Sequence, residues 1–250
     1  MATRKLLPSK AILLQYFAKS PAGQIVRVKE LANLGLTPSS LMTSLSRLKQ
    51  AGTIERVAKG QYRVPLLGRF GLVPPSQQQT LQLILDGSNP HQRAYQTGTS
   101  IFNKLGLTTQ VPQTIELATA KPRRPRRIGG LSVRFIRSQG PQVLKKNEIK
   151  LRQLLDAIRQ LKRIPDSQPK ANLNRLRQML RELTQPERQR LVRLAQGYNP
   201  ATRALVGALL EELGETGAVQ RLAKSLNLLS TYQYGLSEDV LPNRKQWRIR

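Results

Sequence analysis

Apolar residues in the first third of the chain change period repeatedly, and each change marks a boundary. Ile12, Leu13, Tyr16 and Phe17 recur at helical spacing behind Ser9, a residue suited to capping, so a helix is expected to about Ala18, where Pro21-Ala22-Gly23 breaks it. Val26 and Val28 then flank Arg27 in the period of a very short strand, and residues 29–34 form a helix of one to two turns stopped by Gly35. Thr37 followed by Pro38 is an N-cap with proline at the first helical position, and the helix it starts runs to Gln50, where Gly52 ends it. Leu41, Leu45 and Leu48 form its apolar stripe, with Met42 at the edge. Ser39, Ser40, Thr43, Ser44 and Arg47 are assigned to the outer faces, and Lys49 lies near the end. Residues 53–57 and 61–64 alternate as two strands around Ala58-Lys59-Gly60. Strand, helix, turn, helix and basic hairpin in this order predict a winged helix-turn-helix whose second helix enters a DNA major groove.

The remaining pattern predicts two further regions. Between residues 66 and 140, Pro74-Pro75 precedes a helix at 77–85, a short helix at 99–105 stops at Gly106, and residues 114–119 read as a strand. Strands at 126–128 and 131–137 are expected to form a hairpin turning at Gly129-Gly130. After a break at 138–141 the chain reads as helices at 148–161, 171–183, 186–196, 200–213 and 218–227, with Thr184 and Glu187 at capping-box spacing. Tyr232, Tyr234, Leu236 and Trp247 in the tail predict docking onto the body of the protein. The expected fold is α+β, mostly helical. The expected domains are a winged helix at 1–66, a small α+β domain at 67–140 and a helical domain with its tail at 141–250.

Charge changes this picture most. Forty-two Lys and Arg against 14 Asp and Glu leave +28 on 250 residues, a self-repulsion that a polyanion relieves. An anionic membrane surface is the alternative partner. No run of about 18 apolar residues exists to span a bilayer, and the N-terminus lacks a signal-peptide core, so a cytoplasmic location is expected. Cysteine is absent, which excludes disulfides, thiolate nucleophiles and the usual structural zinc sites.

The candidate interface is therefore Ser39, Ser40, Thr43, Ser44, Arg47 and Lys49 on the second helix, with Arg56 and Lys59 on the wing. Small hydroxyls near a helix start contact phosphates or base edges. Arg47 has two roles open to it, a phosphate contact or a bidentate pair with guanine. Lys121, Arg123, Arg124, Arg126 and Arg127, kept extended by two prolines, would add phosphate contacts or contribute only diffuse attraction.

Catalysis finds little support. The single histidine, His91, sits beside Asn89-Pro90 in a turn. Asp166 follows Pro165 without the Glu-x-Lys of a nuclease motif behind it, since Glu148 and Lys150 precede it. Glu211, Glu212 and Glu215 are expected to pair with arginines such as Arg203 or Arg221 rather than to hold a metal. Gly129-Gly130 lacks the lysine and helix of a phosphate-binding loop. No catalytic residue, metal or cofactor is expected.

Two segments carry a resemblance. Residues 45–62, Leu45-Ser46-Arg47-Leu48 through Gly52, Ile54 and Arg56 to Gly60-Gln61-Tyr62, resemble the winged-helix part of AbiEi-type antitoxins, including the DUF6088 branch. Leu105-Gly106-Leu107-Thr108-Thr109-Gln110-Val111-Pro112, followed by the strand at 115–119, is similar to that family's antitoxin domain. The likeness covers roughly residues 9–140. It implies an antitoxin of a type IV toxin-antitoxin or abortive-infection pair, located at the bacterial nucleoid. The winged helix would repress its own operon at promoter repeats in double-stranded DNA, with weak homo-oligomerisation there. The other domain would oppose a nucleotidyltransferase toxin without a stable complex. The competing reading is a basic structural protein associated with RNA or ribonucleoprotein, using the winged helix as a scaffold. In that reading the arm at 121–127 and the arginine-rich stretches at 152–163 and 175–193, with few aromatics for base stacking, bind duplex or folded RNA by shape.

Overall fold

The computed structural model describes residues 8–85, 94–121, 124–128, 131–140, 145–166 and 168–250. They form two compact units, Met1–Leu83 and Ile84–Arg250. The fold is mixed α+β, with helix dominant as expected. Among the described residues no helix is long and apolar enough to cross a membrane.

The first unit follows the expected succession. Helix α1 (Ser9–Ala18) leads to β1 (Ile25–Arg27), α2 (Val28–Leu31) with a 3-10 turn at Ala32–Leu34, α3 (Pro38–Gln50), β2 (Glu55–Ala58) and β3 (Gln61–Arg63). Ser9 is the first helical residue rather than the cap, which is Pro8. The strands form an antiparallel sheet in the order β1-β3-β2, with Val26 opposite Tyr62 and Arg56 opposite Tyr62 on the other side. Leu13, Phe17, Val26, Leu31, Leu41, Leu45, Leu48, Ile54 and Tyr62 close one core, so the leucine stripe of α3 holds that helix against α1 and the sheet.

The start of α3 is set by its cap. The Thr37 hydroxyl oxygen accepts the Ser40 backbone N–H at 3.3 Å, and Pro38 occupies the first helical position. Thr37→Ala is expected to lower stability by about 1 kcal/mol, read from urea denaturation; an unchanged midpoint would show that the cap is dispensable.

Two elements in this unit have no counterpart in the sequence reading. Strands β4 (Leu66–Gly68) and β5 (Gly71–Val73) form a second antiparallel hairpin, two residues beyond β3. Its base is tied to β3, because the buried Arg63 donates from Nη2 to the Val73 carbonyl while its Nε pairs with Glu55. Helix α4 (Gln77–Leu85) follows, and Gln79 donates to the Gly23 carbonyl at 3.3 Å.

The second unit joins what the sequence divides at residue 140. Strands β6 (Ala94–Thr97), β7 (Thr114–Thr119), β8 (Arg126–Ile128) and β9 (Leu131–Arg137) form one sheet in the order β6-β7-β9-β8, with β7 and β9 parallel and the outer pairs antiparallel. Strand β9 alternates as its sequence predicts, with Leu131, Val133 and Phe135 buried and Arg134 exposed. Helices α5 (Thr99–Lys104), α6 (Ile149–Arg159), α7 (Pro169–Arg181), α8 (Gln185–Ala195), α9 (Pro200–Glu211) and α10 (Thr216–Lys224) complete the unit. Phe102 and Leu107 from the sheet region belong to the same apolar core as Leu155, Leu176, Leu205 and Leu222 from the helices. Polar ties cross the same seam: Gln153 to the Gln96 carbonyl, Thr108 to the Pro165 carbonyl, and Arg175 to the Leu105 carbonyl. Phe102 and Leu107 thus share an interior with the helices, and residues 84–250 form one compact unit.

The tail docks as expected. Tyr232, Tyr234, Leu236, Leu241, Trp247 and Ile249 are all buried in that core. At the acidic cluster, Glu211 accepts from Asn243, Gln246 and the Trp247 indole N–H, Glu212 pairs with Arg177, and Glu215 pairs with Arg188. Two of the three carboxylates do pair with arginines, though with Arg177 and Arg188 rather than Arg203 and Arg221. The expected capping box is present at Thr184, whose backbone N–H donates to Glu187 at 2.9 Å.

Candidate nucleic-acid interface

Helix α3 presents a polar face away from its leucine stripe. Ser39, Thr43, Arg47 and Lys49 are exposed on it. Ser46 and Gln50, which the sequence reading left out, are exposed as well. Helical spacing carries Ser39, Thr43, Arg47 and Gln50 along one line, and that period was the signal available to find Gln50.

Two expected contacts need correction. Ser44 is not on the outer face: it is only 6% exposed. It lies three residues after Leu41 and one turn before Leu48, so it shares their inner side. Ser40 is half-buried, and its hydroxyl serves the cap, accepting from Thr37 Oγ1 at 2.9 Å and donating to the Thr37 carbonyl at 3.0 Å.

Lys59 is exposed at the tip of the β2–β3 hairpin beside Gly60, whose φ of +71° is a left-handed position that glycine takes without strain. Arg56 is exposed on β2 but turns back along its own strand, donating from Nε to the Ala58 carbonyl at 3.3 Å. The face of α3 thus combines hydroxyls, an amide and a long cation, and the β2–β3 hairpin displays a lysine. Such a set makes hydrogen bonds and ion pairs to phosphates and base edges and has no nucleophile–base pair.

The second basic segment is partly described. Lys121, Arg124 and Arg127 are exposed, and Arg126 and Arg127 belong to β8 at the edge of the sheet. Arg123 lies outside the described residues, as do His91 and Gly129-Gly130. In the arginine-rich stretches Arg163, Arg181 and Arg193 are exposed, whereas three others are engaged within the fold. Arg152 is buried and donates to the Gln139 carbonyl, Arg177 donates to Glu212 and the Val240 carbonyl, and Arg188 donates to Glu215 and two carbonyls of α7.

The segment with the second resemblance divides in two. Leu107 and Thr108 are buried, and Gln110 to Thr114 line an open groove of about 440 Å³ with Thr99 and the Glu116–Arg134 ion pair. Glu148 pairs with Arg152, Asp166 lies in an exposed turn, and among the described residues no cluster of three metal-ligating side chains occurs.

The model of DUF6088, a family of unknown function, matches residues 13–187. The chain belongs to the DUF6088 family. The match includes α3, the wing and the whole mixed sheet of this DUF6088 protein, and ends in the first turn of α8. Its structure is similar to the crystal structure of RV2827C protein from Mycobacterium tuberculosis, at 17% identity and a TM-score of 0.43 over 92% of this chain and 85% of that one. A search of curated proteins found no match.

Proposed function

We propose that this DUF6088 protein is a DNA-binding autorepressor and antitoxin of AbiEi type, acting by binding rather than catalysis. The observation that carries the reading is the exposed line of Ser39, Thr43 and Arg47 on α3, together with an exposed Lys59 at the hairpin tip, in the element order of a winged helix. The resemblance of residues 105–112 to the antitoxin domain of AbiEi-type proteins supports the second half of the reading, with a nucleotidyltransferase toxin as functional partner. Engagement of Arg152, Arg177 and Arg188 within the fold removes part of the basic surface of the RNA-scaffold reading, which also draws on residues 121–127.

The test is a gel shift with the DNA upstream of the protein's own gene against the same DNA scrambled, at about physiological salt. Preference for the promoter supports the proposal, and equal affinity rejects it. Arg47→Ala is expected to weaken binding by about 1–3 kcal/mol. A loss confined to the preferred sequence makes Arg47 a base reader. A uniform loss, with a salt slope reduced by about 0.9, makes it a phosphate contact. Unchanged binding would remove α3 from the interface.

A further inference from the structure

The β4–β5 hairpin is built to display apolar side chains. Its six strand residues are all exposed, with Leu67 opposite Leu72 and Gly68 opposite Gly71. The two-residue tip is Arg69-Phe70, and Phe70 is 104% exposed. The other ten aromatic residues of the chain are buried or half-buried. Both flanking glycines are required: a Cβ on Gly68 would meet Val73 Cγ2 at 2.9 Å, and Gly71 sits at φ +103°. The base is tied to β3 by the hydrogen bond from Arg63 to the Val73 carbonyl.

Charge says what covers such a tip. Residues 1–83 carry twelve Lys and Arg but only two carboxylates, Glu30 and Glu55. Both carboxylates are engaged, Glu30 by the Arg27 backbone N–H and Glu55 by Arg63. A second copy of the chain would bring the same positive charge and be repelled, whereas duplex DNA offers an anionic backbone around stacked apolar bases. An arginine beside an aromatic wedge is the chemistry by which proteins unstack a base step and hold the neighbouring groove.

We infer that the β4–β5 hairpin is a second DNA-contacting arm, in which Phe70 wedges into a base step of duplex DNA and Arg69 pairs with the adjoining phosphates. The inference rests on the DNA-binding reading but not on the helix that carries it. Its test uses the full chain and a 30-base-pair duplex enriched by it from a random-sequence pool, with 2-aminopurine placed at successive steps. Wild type is expected to raise 2-aminopurine emission at one step. Phe70→Ala abolishes that rise and weakens binding roughly ten-fold, within the range of one lost base stack, and Phe70→Trp restores both. Equal affinity and equal emission for Phe70→Ala, with Arg47→Ala still impaired, overturns the arm and leaves the DNA reading standing. Failure of the full chain to enrich any duplex overturns both. Two further results also overturn the arm: binding to phosphatidylserine vesicles that Phe70→Ala removes while duplex affinity stays unchanged, and a wild-type dimer that Phe70→Ala converts to monomer.

Discussion

Asp156→Ala is expected to destabilise the second unit by about 3 kcal/mol, because the carboxylate is the shared acceptor of three buried hydroxyls. Asp156 on α6 is 1% exposed. It accepts from Tyr95 at 2.9 Å and Thr97 at 2.8 Å, both on β6, and from Tyr198 at 3.0 Å in the turn between α8 and α9. One side chain thus joins the sheet to two helical segments. Removing it leaves those donors inside an apolar core with a cavity between them.

The protonation state of this group decides which substitution is tolerated. Burial raises the Asp156 pKa above the usual carboxylate range, and the hydrogen bonds from Thr97, Tyr95 and Tyr198 only partly oppose it. Burial, with the Asp156 charge adding to it, pushes both tyrosine hydroxyls above the normal phenol range, so they remain donors. A folded-state pKa raised above the unfolded value contributes stability that is complete below the unfolded pKa and is lost as pH rises towards the folded one. Asp156→Asn removes that titration while keeping an acceptor. It should therefore stay within about 1 kcal/mol of wild type at neutral pH. The stability of wild type relative to this variant should decline as pH rises from about 3.8, the ordinary aspartate value. A difference that grows with pH would mean that the charged carboxylate is the favoured form. Equal stability of Asp156→Ala and wild type would mean that the three hydroxyls find partners elsewhere.

That network was invisible in the sequence for a physical reason. Tyr95, Thr97, Asp156 and Tyr198 span just over a hundred positions, and no local period relates them. Strand β6 itself escaped notice because Ala94-Tyr95-Gln96-Thr97 is buried on both faces and does not alternate. What was legible is what local chemistry decides. Thr37-Pro38 starts α3, Gly52 follows its end, and the Leu41, Leu45 and Leu48 stripe selects its buried side. Ser44 shows the limit of that reasoning, since a small polar residue on the inner face looks like an outer one until the helix is packed. The hairpin at 66–73 did leave a signal, in glycines that bracket a two-residue tip between apolar pairs. Its exposed Phe70 breaks the rule that apolar residues mark a core, and for that reason the pattern did not register as an element. The expectation of arginine partners for the acidic cluster was right in kind for Glu212 and Glu215 and wrong in partner, because Arg177 and Arg188 approach from other helices.

Gly207→Ala should destabilise the protein, although the same change in an ordinary helix interior adds about 1 kcal/mol of stability. Gly207 lies inside α9, where the Cβ of an alanine would fall 2.2 Å from Cζ3 and Cη2 of Trp247. The ring is 2% exposed and its indole N–H is held by Glu211 at 2.9 Å, so it has little freedom to retreat. If the ring leaves, the tail follows, because Tyr232 exchanges backbone hydrogen bonds with Arg248 and Arg250, just beyond Trp247. The expected loss is about 2–4 kcal/mol, approaching that of truncating a buried tryptophan. Trp247 is the single tryptophan of the chain, so its emission reports the event directly and should shift to the red with greater quenching by acrylamide. The stronger check is a double-mutant cycle. In a Trp247→Ala background the clash is gone, and Gly207→Ala should change sign, recovering up to about 1 kcal/mol from helix propensity. A stabilising effect in both backgrounds, with emission unchanged, would mean that α9 and the tail do not touch at this glycine.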